Sequence, residues 1–569
     1  MADAPDNSTP ETREQMWRRA GKVWLQNLQL REPTYLESEE DARAQQAEGV
    51  LACISALTFT TLLNMHYMRE RGVDQYLYTF MAHEIGHHAI APAGFTNQIR
   101  LLAAAAATSR EDAAAGYVNL ALDLLINDIL YQQHQLPVDA IYRRLTRDDP
   151  PVGAFRLMLC AMEILWECEP LFERVAGQEL PNESLLTDAL VATYSIHGEG
   201  RRGADLVPFV ALATRIFVQA TSYGQSPDGG WDQLRVGQGG EEEAEALRRW
   251  LRSGGVMVVD EAQRQARRAL ERTPGVNGAP SPSYKNYAPT LLQGVGIGSS
   301  SGSPVSASEV VVAYYETLAN GHLFDFMSEK GGHNEGYPES LREWAWGEPM
   351  EDIDWVQTAV REGQPLPGIN TVAWEYGYEP EPIGLEPFPV DLDLYIDTSG
   401  SMPDPKASMS HIALGAFIFA MSVLRQGGAV RVTIWSYNMD HLLSTDEFLT
   451  DRDLVLETIC YSIRGGTQFP VEHWELAVDH HKGRHNQVHT VILSDDGIST
   501  WFQGAYPIER VEAAFARVQE SFQAGGTVIL NGNEKSMRYE LPDDWLVRGC
   551  RDWHAVVSAC AEVASRKFG

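Results

Sequence analysis

The chain has 569 residues, of which 44% are apolar and 22% are charged. A chain of this length and composition can bury several hydrophobic cores, so the sequence predicts two to four folded domains and excludes a mainly disordered protein. Acidic residues number 78 against 45 basic ones, which gives a net charge of −33 and disfavours nucleic acid and anionic lipid as partners.

The cysteines and the N-terminus bear on the cellular compartment. The six cysteines include no CxxC pair and are too few for a disulfide scaffold. Met1 to Asp6 are polar and acidic, whereas a secretory signal is basic and then apolar. No apolar run reaches the unbroken length that a membrane span needs. The sequence therefore predicts buried thiols, no membrane span and a cytoplasmic location.

The first half of the chain has a helical pattern. From about residue 11 to residue 270, apolar residues recur at helical spacing, with no alternation of period two. We predict an all-α domain over residues 1–272. Residues 273–308 are rich in Pro, Gly, Ser and Asn, a composition that cannot bury enough apolar surface to order itself. This segment is predicted to be a flexible linker.

The second half changes character twice. Residues 309–389 form a mixed, tryptophan-rich connector whose role the sequence does not reveal. Over residues 390–569, strand-like and helical patterns alternate, which is typical of a doubly wound, Rossmann-like α/β sheet with helices on both faces. The predicted strands are 390–396, 429–435, 488–493 and 527–530, and the predicted helices are 406–425, 471–481 and 508–522. No P-loop is found, so any ATP hydrolysis points to another protein.

An HExxH motif lies in the helical half, at His83-Glu84-Ile85-Gly86-His87. Two histidines four residues apart project from the same face of a helix and can bind one cation, with Glu84 beside it. Zinc lowers the pKa of a bound water, and Glu84 would accept its proton, which makes a nucleophile for an amide carbonyl. The motif therefore predicts a hydrolytic zinc site.

Catalytic zinc needs a third protein ligand, and the apolar helix predicted over residues 119–130 offers one. Asn119, Asp123 and Asn127 recur every four residues and so form one polar stripe on this helix. We predict Asp123 as the third ligand, with Asn119 and Asn127 orienting the ligands through hydrogen bonds. Asp128 lies about 140° around the helix from Asp123 and is the weaker candidate.

Three points stay open for this motif. His88, four residues after Glu84, could position that glutamate or face solvent. The histidines could also be satisfied by carboxylates in a helical core that holds no metal. Finally, a bound zinc could be structural or vestigial rather than catalytic.

A second polar cluster follows the first strand of the predicted α/β domain. Asp397-Thr398-Ser399-Gly400-Ser401 has the pattern DxSxS, at the carboxyl end of a strand and before a helix. Open α/β sheets bind ligands at this edge. Carboxylate and hydroxyl oxygens suit Mg²⁺ or Ca²⁺ and are poor ligands for zinc. The alternative is an ordinary Ser/Gly turn that caps the next helix.

Two later loops supply further oxygen atoms. Gly465-Gly466-Thr467 places a hydroxyl on a tight loop, and Asp495 and Asp496 follow another predicted strand. The carboxyl ends of parallel strands meet at one edge of a sheet, so side chains from the three loops could converge there. The sequence therefore predicts a second metal site, built from oxygen ligands.

This arrangement resembles the metal-ion-dependent adhesion site of von Willebrand factor A domains, over about residues 390–569. The resemblance implies that the ion is held by Asp397, Ser399, Ser401, Thr467 and Asp495. Asp496 stands where the family usually has glycine, which leaves the choice between Asp495 and Asp496 open. In that family a carboxylate of a partner protein completes the coordination of the ion.

The whole pattern of HExxH helix, second polar helix, low-complexity middle and C-terminal adhesion-site domain resembles the bacterial metallopeptidase-like proteins that carry a von Willebrand A-like domain. The resemblance implies a zinc metallopeptidase whose A domain binds a protein through a Mg²⁺-bridged carboxylate, together with a MoxR-type AAA+ ATPase. A competing function is a non-catalytic adaptor or chaperone subunit of such an ATPase system, with structural or vestigial zinc. A third is a protein-binding module without zinc.

Overall fold

The structure is a computed structural model that describes residues 11–566 apart from internal gaps. The gaps are residues 27, 29, 46, 56, 176–178, 222–240, 274–286, 295–296, 298–302, 330–336, 346, 363–365, 368, 378–384, 438–441, 496–506, 522–523 and 534–543. The chain forms two compact units. The helical unit comprises Met1–Gly321, Pro403–Ala413 and Cys460–Ser462, and the sheet unit comprises His322–Met402, Leu414–Ile459 and Ile463–Gly569.

The helices of the helical unit hold most of its core. They are α1 (Arg13–Trp24), α2 (Glu39–Ala44), α3 (Met65–Arg71), α4 (Leu77–Ala89), α5 (Phe95–Ala106), α6 (Glu111–Gln132), α7 (Val138–Leu145), α8 (Gly153–Trp166), α9 (Glu183–His197), α10 (Val207–Thr221), α11 (Glu241–Arg252), α12 (Met257–Arg272), α13 (Ala288–Gly294) and α14 (Ala307–Asn320). Helix α6 is central, because α4, α5, α8 and α10 all pack against it.

The prediction of an all-α domain over residues 1–272 is wrong, because this region also contains a small sheet. Its strands are β1 (Thr34–Leu36), β2 (Ala52–Ile54) and β3 (Thr61–Asn64), in the order β1-β3-β2. β1 pairs with β3 in parallel and β2 pairs with β3 antiparallel. The strands have three or four residues, and β2 and β3 are buried throughout, so no alternation of period two marks them.

Part of the predicted linker, residues 273–308, is helical. Helix α13 lies within it, and Tyr287, Leu291 and Leu292 are buried. A short apolar helix was hidden because the surrounding Pro, Gly and Ser dominate the composition of the segment. Residues 274–286, 295–296 and 298–302 of this segment lie outside the described residues.

Two helices of this unit are long and apolar enough to cross a membrane by length and composition alone, although none was expected from the sequence. The windows are Ala113–Gln132 and Gly203–Ala220, and 72% and 67% of them are buried inside the protein. Such burial is what core helices of water-soluble folds also show. α6 passes the test because it fills the centre of the helical unit.

The main sheet of the second unit has six strands in the order β10-β9-β8-β11-β12-β13. They are β8 (Val390–Asp397), β9 (Val430–Trp435), β10 (Leu442–Ser444), β11 (Gln487–Ser494), β12 (Gly526–Leu530) and β13 (Trp545–Gly549). All neighbours are parallel except β10, which pairs with β9 antiparallel. If β8 is counted as the first strand, the spatial order is 3-2-1-4-5-6, which is the order of a doubly wound sheet. The strand order reverses between β8 and β11, and this position is the switch point of the sheet.

The remaining elements of the sheet unit lie before and around this sheet. Two small two-stranded antiparallel sheets pair β4 (Met327–Glu329) with β7 (Leu385–Pro387) and β5 (Tyr337–Glu343) with β6 (Val372–Gly377). The helices are α15 (Trp355–Glu362), α16 (His411–Arg425), α17 (Arg452–Ile459), α18 (Val471–His481), α19 (Ile508–Ser521) and α20 (Trp553–Ala564).

Helices cover both faces of the main sheet, as predicted. Ile492 of β11 belongs to a core cluster with Trp474 of α18. The next residue, Leu493, points to the opposite face. There it approaches Gly415 of α16, where a Cβ would also lie 3.0 Å from Val556 of α20. The predicted doubly wound α/β architecture is therefore present in the sheet unit.

A buried network of charged and polar side chains is centred on Asp393 of β8 and Arg431 of β9. Arg431 and Asp393 are both fully buried, and Arg431 Nη1 donates to the two Asp393 carboxylate oxygens at 2.9 and 3.0 Å. The same nitrogen donates to the Tyr395 hydroxyl at 3.1 Å. His481 contacts Asp393 at 3.0 Å. Arg431 Nη2 donates to His473 Nε2, and burial and then this guanidinium lower the pKa of His473 to about 4.

Candidate metal centres

The HExxH motif lies on α4, and a glycine inside the motif brings α4 close to α6. A Cβ on Gly86 would lie 2.7 Å from Trp24 Cζ2 and 2.8 Å from Ile126 Cγ2. The Trp24 indole also donates to the Ala82 carbonyl at 2.6 Å, which ties α1 to the same helix. Only glycine fits at this crossing without a displacement. The crossing therefore sets how near the α4 histidines come to the polar stripe of α6.

The structure brings His83, His87 and Asp123 together. The two Nε2 atoms lie 3.2 Å apart. Asp123 Oδ1 lies 3.5 Å from His83 Nε2 and 3.4 Å from His87 Nε2. Zinc bonds of about 2.1 Å at tetrahedral angles would separate their donor atoms by about 3.4 Å. The three distances are therefore those of one face of a zinc tetrahedron.

The other ring nitrogens fix the tautomers of both histidines. His83 Nδ1 donates to Asn127 Oδ1 at 2.9 Å, and His87 Nδ1 donates to the Ala91 carbonyl at 3.0 Å. In the neutral rings, both Nε2 atoms then carry lone pairs that face each other and a carboxylate oxygen. Such a cluster of acceptors is repulsive unless a proton or a metal cation lies among them. The donor set, two imidazoles and one carboxylate, suits zinc.

Both asparagines of the α6 stripe make hydrogen bonds in this cluster, Asn119 to Asp123 and Asn127 to His83. Asn119 Nδ2 donates to Asp123 Oδ2 at 3.0 Å and leaves Oδ1 toward the histidines. Asn127 Nδ2 donates to the Tyr142 hydroxyl at 2.8 Å, which turns its carbonyl oxygen to His83. Partners of this kind hold metal ligands in position. Tyr142, on α7, was not found from the sequence because no spacing relates it to the motif.

Charge and burial act on the pKa values of the cluster. Burial lowers the pKa of His87 below its usual value and so favours the neutral ring that a metal needs. Burial alone would raise the pKa of Asp123, but hydrogen bonds and charge from the protonated forms of His83 and His87 outweigh it and lower that pKa. The carboxylate is therefore ionised at neutral pH.

Two other candidate residues have their own contacts. The ring of His88 packs edge-on against Phe59, with centroids 4.1 Å apart. Asp128 accepts hydrogen bonds from the Trp166 indole at 3.0 Å and the Tyr194 hydroxyl at 2.6 Å. Its carboxylate thus has hydrogen-bond partners on another side of α6. The sequence likewise predicts Asp128 as the weaker candidate for the third ligand.

The cluster is enclosed. The exposed fractions are 5% for His83, 2% for His87, 3% for Asp123 and 1% for Glu84. A cavity of about 30 Å³ adjoins His83 and Asn127 and is lined further by Thr79, Phe80 and Tyr142, among others. This volume accommodates about one water molecule.

The second predicted site lies at the switch point of the main sheet. Asp397 is the last residue of β8, and its Oδ1 accepts from the Ser399 backbone N–H at 2.8 Å. The Ser399 and Ser401 hydroxyls lie 3.3 Å apart. Ser401 donates to Asp495 Oδ2 at 2.5 Å. These four predicted residues therefore meet at one edge of the sheet.

The loop of Thr467 adjoins the same edge. Gly400 donates its backbone N–H to the Gly465 carbonyl at 2.9 Å, and Arg464 donates its backbone N–H to the Thr398 carbonyl at 3.0 Å. Thr467 follows in this loop and is half-buried. Asp495 directly follows β11, whereas Asp496 lies outside the described residues, so the choice between them stays a prediction.

One residue at this edge was missed. Ser494, the last residue of β11, donates to Asp397 Oδ2 at 2.6 Å. The sequence did contain a signal for this residue, since Ser494 immediately precedes Asp495 at the end of a predicted strand. Burial raises the pKa of Asp397 to about 6, and the nearby Asp495 adds to the rise while Ser494 and Ser399 oppose it. Two carboxylates at a buried edge are the environment that a hard cation would neutralise.

Both sites thus consist of residues suited to metals, zinc in the helical unit and a hard cation in the sheet unit. A comparison with protein-family models found no match to the chain, and a comparison with curated proteins found none either. Among solved structures, the chain is similar to a von Willebrand factor type A protein from Catenulispora acidiphila, with 16% sequence identity and a TM-score of 0.24. The match covers 32% of this chain and 44% of that one, less than half its length. A similarity this weak assigns neither family nor activity.

Proposed function

We propose that the helical unit is a zinc-dependent hydrolase of peptide bonds, with zinc bound by His83, His87 and Asp123. The proposal rests on the separations of 3.2, 3.4 and 3.5 Å among their donor atoms. Three protein ligands leave a fourth tetrahedral position, as in catalytic zinc sites, whereas structural sites use four. Zinc held there would supply a Lewis acid that lowers the pKa of water to about 7.

The residues of the chain have separate roles in this proposal. Asn127 and the Ala91 carbonyl keep both imidazoles in the tautomer that offers Nε2 to the metal. Asn119 holds the carboxylate of Asp123. Glu84, buried on the same helix, would accept the proton of the attacking water and return it to the leaving amine.

The second candidate is a non-catalytic adaptor or chaperone subunit whose zinc is structural or vestigial. The enclosure of the cluster favours it, because a cavity of about 30 Å³ beside His83 cannot hold a peptide. Under this alternative, Glu84 has no chemical role. The two functions therefore make opposite predictions for one substitution.

We expect Glu84→Gln to keep about one zinc per chain and to lower peptide-bond cleavage about 100-fold or more, because it removes the proton acceptor and none of the proposed ligands. Zinc content is measured by elemental analysis and cleavage with labelled casein. The control is Glu70→Gln, an exposed glutamate near the end of α3, which should change neither. Bound zinc with no cleavage by the wild type, or equal cleavage by Glu84→Gln, would support the adaptor.

We also propose that the sheet unit binds Mg²⁺ or Ca²⁺, and through it a carboxylate of a protein partner. The proposed ligands are Asp397, Ser399, Ser401, Thr467 and Asp495. Support comes from the Ser401–Asp495 hydrogen bond of 2.5 Å and the adjoining Ser399 hydroxyl at the switch point. A bound cation would allow this acidic protein to attract an acidic residue. The family resemblance makes a MoxR-type AAA+ ATPase the proposed partner.

Asp397→Asn is expected to abolish stabilisation of the sheet unit by Mg²⁺. A cation that binds only the folded state at about 100 times its Kd adds about 2.7 kcal/mol, and this gain requires the carboxylate. Thermal unfolding with Mg²⁺ and with EDTA measures it. Asp453→Asn, at an exposed position of α17, is the control and should respond like the wild type. An unchanged Mg²⁺ response in Asp397→Asn would contradict the proposed site.

A further inference from the structure

In helix α15 of the sheet unit, apolar side chains face solvent and a polar side chain is buried. Val356 is 70% exposed, Val360 is 75% exposed and Trp355 is 43% exposed, whereas Thr358 is fully buried. Ala359 is exposed as well, so every exposed residue among the described side chains of α15 is apolar. Helices of water-soluble domains normally turn their apolar stripe to the core. This helix turns it to solvent.

Hydrogen bonds fix this orientation. The Asp354 N–H donates to the Val372 carbonyl at 2.9 Å, and the Val372 N–H donates to the Thr358 hydroxyl at 3.1 Å. The Trp374 indole donates to Asp354 Oδ2 at 2.8 Å. All three bonds join α15 to β6 through Asp354 and Thr358, which lie one helical turn apart. The helix cannot rotate its valines inward without breaking them.

A small core lies next to α15 in the chain. Trp344, which follows β5, Ile353, which precedes α15, and Ala373 of β6 form this buried cluster. Thr358 is buried as well and bonds to Val372, the neighbour of Ala373.

Val356 and Val360, spaced four residues apart, form a separate outward stripe. Together with Trp355 and Ala359 they make one exposed apolar face, and contiguous apolar patches are typical of interaction surfaces.

The charge of the sequence segment that contains α15 indicates the kind of partner. Residues 337–377 contain eight acidic residues and two arginines, a net charge of −6. One of the arginines, Arg342, is already paired with Glu348 at 2.7 Å. A second copy of the chain would bring the same negative surround against itself, and an anionic membrane would be repelled likewise. A partner surface that complements α15 is therefore an apolar stripe flanked by lysine or arginine.

We propose that the exposed face of α15, formed by Trp355, Val356, Ala359 and Val360, is a docking site for a basic amphipathic helix of a partner protein. The apolar stripe would bury the valines, and the basic flanks would meet the acidic surround. This recognition uses neither metal site. It therefore stands or falls independently of the proposed hydrolase and ion-binding functions.

The test uses the full-length protein and a labelled synthetic helix of leucine and lysine, measured by fluorescence anisotropy. Replacing Val356 and Val360 together by aspartate is expected to weaken binding at least about tenfold. The substitutions add negative charge, so pure charge attraction would strengthen binding instead. Both valines are exposed and make none of the anchoring hydrogen bonds, so the fold should persist, as circular dichroism will check.

Two controls sharpen the result. A scrambled peptide of the same composition, with no apolar stripe, should bind at least about tenfold more weakly than the amphipathic one. Leu185→Asp with Ile196→Asp, at two exposed apolar positions of α9, should leave binding unchanged. Equal binding of the amphipathic peptide by the wild type and the valine variant overturns the proposal. So does self-association, or binding to phosphatidylglycerol vesicles, that the valine substitutions abolish.

Discussion

Asp123→Ala is expected to lower the zinc affinity of the helical unit by about 100-fold or more. Loss of a residue that merely orients a ligand costs about 10- to 100-fold, and Asp123 is a proposed ligand itself. Its Oδ1 lies 3.4 and 3.5 Å from the two histidine nitrogens and supplies the only negative charge of the three donors. Competition with a zinc-binding dye measures the affinity.

Zinc should also stabilise the wild type more than the variant. At about 1,000 times its Kd, a ligand that binds only the folded state adds about 4 kcal/mol. At the same zinc concentration, a variant with about 100-fold weaker affinity gains only about 1.4 kcal/mol. Thermal unfolding with and without zinc should therefore show a large shift for the wild type and a much smaller one for Asp123→Ala.

Asp128→Ala is the matched control for this experiment. It removes the same side chain from the same helix, but its carboxylate accepts from Trp166 and Tyr194 and lies apart from the histidines. This variant should lose stability while it keeps the zinc affinity of the wild type. If Asp123→Ala and Asp128→Ala bind zinc equally well, Asp123 is not a ligand.

The grouping of His83, His87 and Asp123 could be predicted because helical periodicity converts sequence spacing into position on a face. His83 and His87 on one helix, and Asn119, Asp123 and Asn127 on another, needed only the period of 3.6 residues. That the two stripes face each other is a property of packing, and the close crossing at Gly86 decides it. Spacing cannot show such a crossing.

Contacts from other elements explain what the sequence missed at this site. Tyr142 reaches Asn127 from α7, and the Ala91 carbonyl reaches His87 from the chain after α4. Neither residue has a chemical type that marks it in advance. The positions of His88 beside Phe59 and of Asp128 beside Trp166 were likewise settled by neighbours that are distant in sequence.

The main sheet was predicted well because its central strands are buried on both faces and so appear as continuous apolar runs. β8 and β11 extend only one or two residues beyond their predicted ranges, and α18 has its predicted ends. β10 has three residues and lies at the sheet edge, and β13 contains Arg548, so neither has such a run. Short strands of mixed polarity leave little signal in sequence.

Arg431→Ala is expected to destabilise the sheet unit by about 3–5 kcal/mol. The substitution removes the guanidinium from the fully buried carboxylate of Asp393 and leaves His481 as its close polar partner, and breaking a buried ion pair costs that much. Tyr395 and His473 lose a donor as well. The free energy of unfolding, measured by urea titration followed through a sheet-unit signal, should fall accordingly.

Arg425→Ala is the matched control, because Arg425 pairs with Asp325 at 2.6 Å in the same unit but both side chains are more than 40% exposed. Solvent screens an exposed pair, whose loss costs at most about 1 kcal/mol. Both variants lose an ion pair, so the difference in their free energies of unfolding should reflect the burial of the pair. Equal effects would mean that water reaches Asp393 and that the network is not buried as described above. Arg431→Met should recover little, since Asp393 would still lack its guanidinium partner.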